Sequence, residues 1–152
     1  MELDIKFDAE KTILKFNNLV DKSPELLVKA IQRAILYLQG DVVRNLASGK
    51  FGIKTRGGGL IESIATRVEA SGNTVIGIVG SNLKYARIQE TGGEIYPVKK
   101  KVLRFFIGGR EIFARKVTIP AHWYLRNTLK DSYNNGSVLK NFNSVYQEEL
   151  KK

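Results

Sequence analysis

The stretch that decides the fold is YARIQETGGEIYPVKKKVLRFF, residues Tyr85 to Phe106. Its first part is polar and suits a short helix, which Gly92-Gly93 should break before the chain restarts as a strand. Glycine adopts positive φ values that a side chain opposes. We therefore predict a structural corner here, which aims the three lysines and the apolar run that follow it.

The chain beyond this corner is strongly basic. Between Ile95 and Lys130 there are nine Lys or Arg residues against one acid, so this quarter of the chain holds +8 of the net charge of +10. Such a segment indicates an anionic partner, either nucleic acid or an acidic protein surface. A solvated face that only aids solubility is the alternative. The residues assigned to a partner-binding surface are Lys99, Lys100, Lys101, Arg104, Arg110, Arg115 and Lys116.

The basic residues fall on a predicted hairpin. KVLRFFIG should pair with EIFARKVTI across Gly108, Gly109 and Arg110, which forms a basic hairpin over residues 99–118. The three adjacent lysines lie at its base, and in an extended strand they cannot all face one side. Their mutual repulsion is most readily offset by an acidic surface or by phosphate from a partner.

Helices are predicted on both sides of this region. Ser23 as N-cap and Pro24 at the first helical position open a helix to about Ala47. Pro120 should begin another helix, and Val138 to Leu150 a last one. The predicted buried stripe of the first helix is Leu27, Ile31, Ala34, Ile35, Leu38 and Val42, and the candidate contacts of the second are Trp123, Leu125 and Leu129.

Strand patterns complete the prediction. Leu3, Ile5 and Phe7 alternate with polar residues as in a half-buried strand, and Asp8 resembles the N-cap of a short helix. Residues 64–82 predict a hairpin turning at SGN. The stretch 49–59 is rich in glycine and charge and lacks a period, so it is predicted to be a mobile loop. Phosphate binding by Gly57-Gly58-Gly59 is disfavoured, because no GK[ST] follows and a helix precedes the stretch.

These elements predict an α+β fold. We expect one domain over residues 1–152, with an antiparallel sheet built from hairpins and packed on one face by the long helix and the C-terminal helix. The sequence shows no apolar run of transmembrane length and no signal-peptide pattern. The absence of cysteine excludes disulfides and thiolate sites and fits a reducing cytoplasm.

The sequence nominates no catalytic, cofactor-binding or metal-binding residue, and we expect a protein that is not an enzyme. The one histidine, His122, has no metal-ligand spacing, and a structural or solvent-facing role is the preferred interpretation. Glu90 and Glu94 are separated by the glycine pair, so they need not share a face. Capping, or pairing with Arg87 or Lys84, is favoured over general acid–base work.

The order of these motifs resembles a family of small tailed-bacteriophage proteins that complete the tail or join head to tail. The resemblance covers Gly59 to Leu129 and rests on GLIESI, YARIQETGGEI, the hairpin with L-R-F, and VTIPAHWYL. The chain departs from the family pattern after Pro120-Ala121. His122, Trp123 and Tyr124 stand where arginine, proline and phenylalanine usually follow, which leaves any ion pair of that arginine in doubt.

The resemblance implies a non-enzymatic virion protein of the neck or tail end, assembled in the host cytoplasm. It implies an α+β subunit in a ring, commonly of six, with three kinds of partner: copies of itself, the tail tube or terminator, and the connector. No membrane partner and no cofactor are implied. The residues that carry the motif are Tyr85, Ala86, Glu90, Gly92, Gly93, Pro120, Trp123 and Leu125.

Two other functions stay open. The first is a DNA-binding accessory protein that uses residues 95–130, with aromatic side chains of the hairpin stacking on bases. The second is a hydrolase with an unrecognised site. Within the corner motif, we expect Tyr85, Ala86 and Ile88 to anchor the short helix on the sheet and Glu90 to cap or pair locally.

Overall fold

A computed structural model describes residues 22–53, 59–72 and 74–152. The predicted strand at Leu3–Phe7 and the helix after Asp8 lie outside the described residues. The described helices are α1 Ser23–Ala47, α2 Gly59–Glu62, α3 Ala86–Thr91, α4 Tyr124–Asn134 and α5 Ser137–Leu150. The described strands are β1 Ile64–Ser71, β2 Thr74–Ser81, β3 Gly93–Ile95, β4 Leu103–Ile107, β5 Arg110–Ala114 and β6 Val117–Ile119.

Helix α1 is the centre of the molecule, because it contributes to both hydrophobic clusters. It begins at Ser23, one residue before the predicted first helical residue Pro24, and the N-cap is Lys22, without a side-chain capping bond, in place of the predicted Ser23. The predicted stripe is confirmed at four positions, whereas Leu27 and Ile31 are only half-buried. The buried residues of α1 are Leu26, Ala30, Ala34, Ile35, Leu38, Val42 and Leu46.

The first predicted hairpin is confirmed. Strands β1 and β2 pair antiparallel, with Ile64 opposite Ser81 and Ser71 opposite Thr74. Gly77 brings β2 against α1, since a Cβ at this position would lie 2.4 Å from Ile35 Cγ2. A hairpin therefore rests directly on the long helix, as the sequence predicted.

The C-terminal helix packs against α1 rather than against a sheet. Val145 of α5 is buried beside Leu26 and Ala30 of α1. Arg33 donates to both carboxylate oxygens of Glu148, at 2.6 and 3.0 Å. The α+β class is confirmed, and the main contact of α5 is with α1; an amphipathic pattern shows that a face is buried and not what buries it.

The strands form three two-stranded sheets within the described residues, β1–β2, β3–β6 and β4–β5, instead of one sheet. The basic hairpin is confirmed over β4 and β5, with Gly108-Gly109 as its turn and Arg110 already in β5 opposite Ile107. The predicted pairing was wrong beyond Ala114. The VTI segment pairs with β3, with Val117 opposite Ile95 and Ile119 opposite Gly93.

The predicted mobile loop, 49–59, is only partly described. Ile53 is 8% exposed and belongs to the main core, and Phe51 packs against that core. Gly59 is the first residue of α2. The described ends of this stretch are therefore anchored, while residues 54–58 lie outside the description and their predicted mobility stays a prediction.

Candidate partner interface

The glycine corner joins α3 to β3, as predicted. Gly92 closes α3 with a 2.9 Å bond from its N–H to the Ile88 carbonyl, and its φ of 70° lies in the region that favours glycine. A Cβ on Gly92 would lie 2.7 Å from the Ala121 nitrogen and 3.0 Å from the Ile119 carbonyl oxygen. The position excludes a side chain, because the chain leaving β6 passes directly against it.

Glu90 caps a helix other than its own. Its carboxylate accepts bonds from the backbone N–H groups of Leu125, at 2.8 Å, and Arg126, at 3.0 Å, in the first turn of α4. Its carbonyl also accepts a 2.9 Å bond from the N–H of Trp123. Glu90 is therefore a cap, but of a distant helix and not locally as predicted, and α3 thereby fixes the start of α4. No described bond joins Glu90 to the alternative partners Arg87 and Lys84.

The start of α4 was predicted four residues too early. Pro120 lies in an irregular segment, and the helix begins at Tyr124 after Trp123, which has a left-handed φ of 51°. The Arg126 guanidinium carbon lies 4.1 Å from the centre of the Trp123 ring. Proline opens many helices, but here the bonds from α3 set the boundary, and a sequence pattern does not show such contacts.

The buried contacts of α4 also differ from the prediction. Leu125 packs on the core as expected, but Leu129 is 50% exposed. Tyr124, which the sequence analysis did not select, is 1% exposed and belongs to the main core. Its hydroxyl has no hydrogen-bond partner among the described residues. Burial, with a smaller contribution from Glu90, raises the pKa of Tyr124 to about 12.

The predicted anchors of α3 are confirmed in part. Ala86 is buried in the main core. Ile88 lies against Gly93, since a Cβ there would be 3.4 Å from Ile88 Cγ1. Tyr85, in contrast, is exposed, and its predicted anchoring role was wrong. A tyrosine that precedes a short helix gives no period from which its orientation can be predicted.

His122 has a structural contact. Its Nδ1 lies 2.8 Å from the carbonyl oxygen of Phe51, which ties the turn after α1 to the corner. Its backbone N–H donates to the Gln89 carbonyl at 3.1 Å. Both contacts support the structural interpretation of this histidine.

Glu94 lies in β3 and pairs at the base of the basic hairpin. It accepts hydrogen bonds from Lys116 and Tyr96, and these lower the pKa of its carboxyl group, with Lys116 as the larger cause. Glu90 and Glu94 thus have separate partners on separate elements. This arrangement does not form the paired acid and base that an enzyme site would need.

The three lysines lie in a bend over residues 98–102 and not in an extended strand. All three are exposed, and the described residues offer no ion pair to any of them, nor to Arg110 or Arg115. Of the seven residues assigned to the interface, only two are paired, Arg104 with Glu111 and Lys116 with Glu94. Five uncompensated positive charges therefore extend from the base of the basic hairpin to its turn.

Exposed apolar side chains accompany these charges. Phe106 is 63% exposed and Phe113 61% exposed, and both share a face with Arg104 and Glu111. Seven of the fourteen large hydrophobic residues that are exposed in the described chain lie between positions 95 and 113. They are Ile95, Tyr96, Val98, Val102, Phe106, Ile107 and Phe113.

The opposite face of the hairpin is also apolar. Leu103, Phe105 and Ile112 are half-buried there, and none of the ten residues of β4 and β5 is buried. Such a two-stranded ribbon is marginally stable alone in water. The sequence contained the signal, since the consecutive apolar residues of LRFFI must point to both faces, but the sequence-based interface included only the charged residues.

Comparisons with protein-family models, with curated proteins and with solved structures found no match to this chain. No described helix combines the length and the apolar character that crossing a membrane requires. The geometry of the corner and of the basic hairpin is therefore the basis for the functional proposal.

Proposed function

We propose that this protein is a non-enzymatic assembly protein of a tailed-phage or prophage virion, which completes the tail or joins head to tail as a ring of identical subunits. The family resemblance of the corner motif supports this proposal. The observation that carries it is the basic hairpin, which has apolar side chains on both faces and five uncompensated positive charges.

The mixed surface favours a protein partner. Contiguous exposed apolar groups mark interaction sites, and aromatic residues and arginine are enriched in protein interfaces. A neighbouring subunit that covers Phe106 and Phe113 would stabilise a ribbon that the described chain leaves uncovered. The charges would set the orientation and the rate of docking on an acidic surface of the tail or connector.

The corner anchors the root of the hairpin segment. Gly92 holds α3 against the chain leaving β6, and Glu90 binds the first turn of α4, so both ends of the hairpin segment connect to the core. An anchored root lowers the ordering cost when subunits associate. The corner motif therefore supports assembly indirectly, by positioning the surface that makes the contacts.

The test replaces Lys99, Lys100 and Lys101 by glutamine in a phage that otherwise lacks this protein. We expect a folded subunit and fewer joined particles relative to separate heads and tails, counted by electron microscopy. The matched control is the triple glutamine variant of Lys29, Lys140 and Lys151, exposed lysines outside the hairpin, which should join particles normally. Normal joining by the hairpin variant would refute the interface role.

DNA binding is the second candidate function, because five unpaired cations and exposed phenylalanines would also suit phosphate contacts and base stacking. A gel-shift series with duplex and single-stranded DNA at increasing salt separates the two. Affinity that falls with a logarithmic slope of about 0.9 per neutralised phosphate would favour DNA. Absence of a shift at low salt would leave the assembly function as the only one supported.

A further inference from the structure

An open apolar groove of about 750 Å³ lies above the middle of α1. Its floor includes Ile35 and Leu38, one wall is residues 77–79 of β2, and the other includes Leu129 and Leu139 of the C-terminal helices. Both leucines are about half exposed. Exposed apolar grooves of this kind mark binding surfaces.

The groove follows the free edge of a strand. Among the described residues, β2 pairs only with β1, and the groove is lined by residues of β2 and by none of β1. The free edge of β2 therefore faces the groove, with α1 beneath it. An additional strand would lie about 4.8 Å beyond β2 and would cover the floor.

Helix α1 begins close to this edge. Ser23 and Leu27 line a smaller pocket together with Gly72 and Val75, so α1 begins beside the turn of the first hairpin, where β2 also begins. Twenty-one residues precede Lys22, and their sequence predicts a strand at Leu3–Phe7 with its apolar side chains on one side.

The connection is long enough. Fourteen residues, 8–21, separate the predicted strand from Lys22. They span about 46 Å when extended and about 21 Å as a helix. The eight residues of β2 span about 26 Å. The predicted strand can therefore reach any position along the edge of β2.

We propose that residues 3–7 occupy the groove as a third strand on the free edge of β2, with Leu3, Ile5 and Phe7 directed toward α1. The alternation then leaves Asp4 and Lys6 toward solvent. Because the segment is covalently attached, its effective concentration at the groove exceeds that of a free competitor. This inference goes beyond the proposed function and does not depend on it.

The first test uses disulfide trapping in the full chain, which contains no cysteine of its own. Ile5→Cys is combined with Ala34→Cys or with Leu38→Cys, two positions one turn apart on the groove floor. The matched control moves the first cysteine to the outward position as Asp4→Cys. We expect a disulfide within one chain for at least one Ile5 pair, formed at low protein concentration and several-fold faster than in the Asp4 controls.

Two outcomes would overturn the proposal. Disulfide-linked dimers from the Ile5 pairs would assign the groove to the segment of a neighbouring copy. Thiols that stay reactive in a variant with parental circular dichroism and cooperative melting would show that residues 3–7 do not lie there, as expected if another occupant, such as the basic hairpin of a neighbour, covers the groove.

A second test measures whether the groove is covered without requiring a disulfide. Ile5→Asp should expose the groove and increase the fluorescence of a bound apolar dye several-fold, while Lys6→Asp, the same replacement on the outward side, should bind as little dye as the parent. Circular dichroism confirms folding of each variant. Equal dye binding by the parent and Ile5→Asp, with both folded, would contradict the proposal.

Discussion

The carboxylate of Glu90 lies 2.8 Å from the backbone nitrogen of Leu125, so a residue in one helix caps the next helix across the core. Glu90→Ala leaves the N–H groups of Leu125 and Arg126 without these acceptors. We expect it to lower the free energy of unfolding by about 1–2 kcal/mol, measured by urea denaturation. Glu90→Gln retains one acceptor and should cost less. Parental stability of the alanine variant would contradict the capping role.

Gly92 tests the close approach at the corner. Gly92→Ala places a Cβ in a glycine-only conformation and 2.7 Å from the Ala121 nitrogen, and we expect a loss of about 3 kcal/mol. Gly108 is the matched control, since its φ is also positive but no other atom lies within 4 Å of the added Cβ. Gly108→Ala should cost about 1 kcal/mol. Equal losses in denaturant titrations would show that the contact is unimportant.

Gly77 tests the packing of the first hairpin on α1. A Cβ on Gly77 would lie 2.4 Å from Ile35 Cγ2 and 2.8 Å from Ile31 Cγ2. Gly77→Ala should lower stability by about 1–3 kcal/mol through overpacking, because both contacts are with branched, constrained side chains. Gly80→Ala, in the same strand with no atom within 4 Å, is the control and should melt close to the parent.

Tyr124 gives a prediction about alkaline pH. Its pKa is raised from 10.0 to about 12 on folding, so the unfolded chain loses the phenolic proton first as pH rises. The contribution of the protonated Tyr124 side chain to the free energy of unfolding is therefore fully present below pH 10 and is lost between pH 10 and about 12. Tyr124→Phe should therefore resist alkaline unfolding better than the parent, and removal of an unpaired buried hydroxyl should add about 1 kcal/mol at neutral pH.

Thermal melts at a series of pH values measure this effect. Tyr133→Phe is the control, because that side chain is exposed. An alkaline midpoint for Tyr124→Phe that coincides with the parent's would show that the hydroxyl has a partner in solution, such as ordered water.

We expect subunits to associate through the exposed phenylalanines of the basic hairpin. Phe106→Ser combined with Phe113→Ser should leave the fold intact and shift the mass measured by light scattering toward the monomer across a concentration series. Leu36→Ser with Ile76→Ser removes two exposed hydrophobic residues outside the hairpin and serves as the control. A shift of the same size in both variants would assign the effect to general hydrophobicity.

The sequence predicted the individual helices and strands better than it predicted which of them pack or pair with one another. Helix α1, the first hairpin and the turn at Gly108-Gly109 were predicted because each is encoded locally by periodicity, caps or turn residues. The predicted start of α4 was wrong, because the helix begins where Glu90, more than 30 positions earlier in the chain, caps its first turn. Long-range contacts of this kind have no local signal in one sequence.

The candidate site shows the same division. The charges of the basic hairpin could be counted in the sequence, and Gly92 could be identified as a conformational requirement. The ion pairs could not be predicted from the sequence. Arg104 with Glu111 depends on the strand register of the hairpin, and Lys116 with Glu94 depends on the unexpected pairing of β3 with β6. The burial of Tyr124 in place of Leu129 was also not predicted, because the side of a helix that faces the core depends on the elements that pack against it.

The pairing of Ile95 with Val117 makes residues 96–116 a closed excursion from the body of the protein. Both strands that flank it are fixed to each other at its root, so the length of the excursion does not enter the geometry of the core. Related chains could lengthen, shorten or replace this segment and inherit the same scaffold. Changes in residues 96–116 would therefore alter the surface that this segment presents with little effect on folding. A different hairpin grafted between Ile95 and Val117 should likewise leave the core intact.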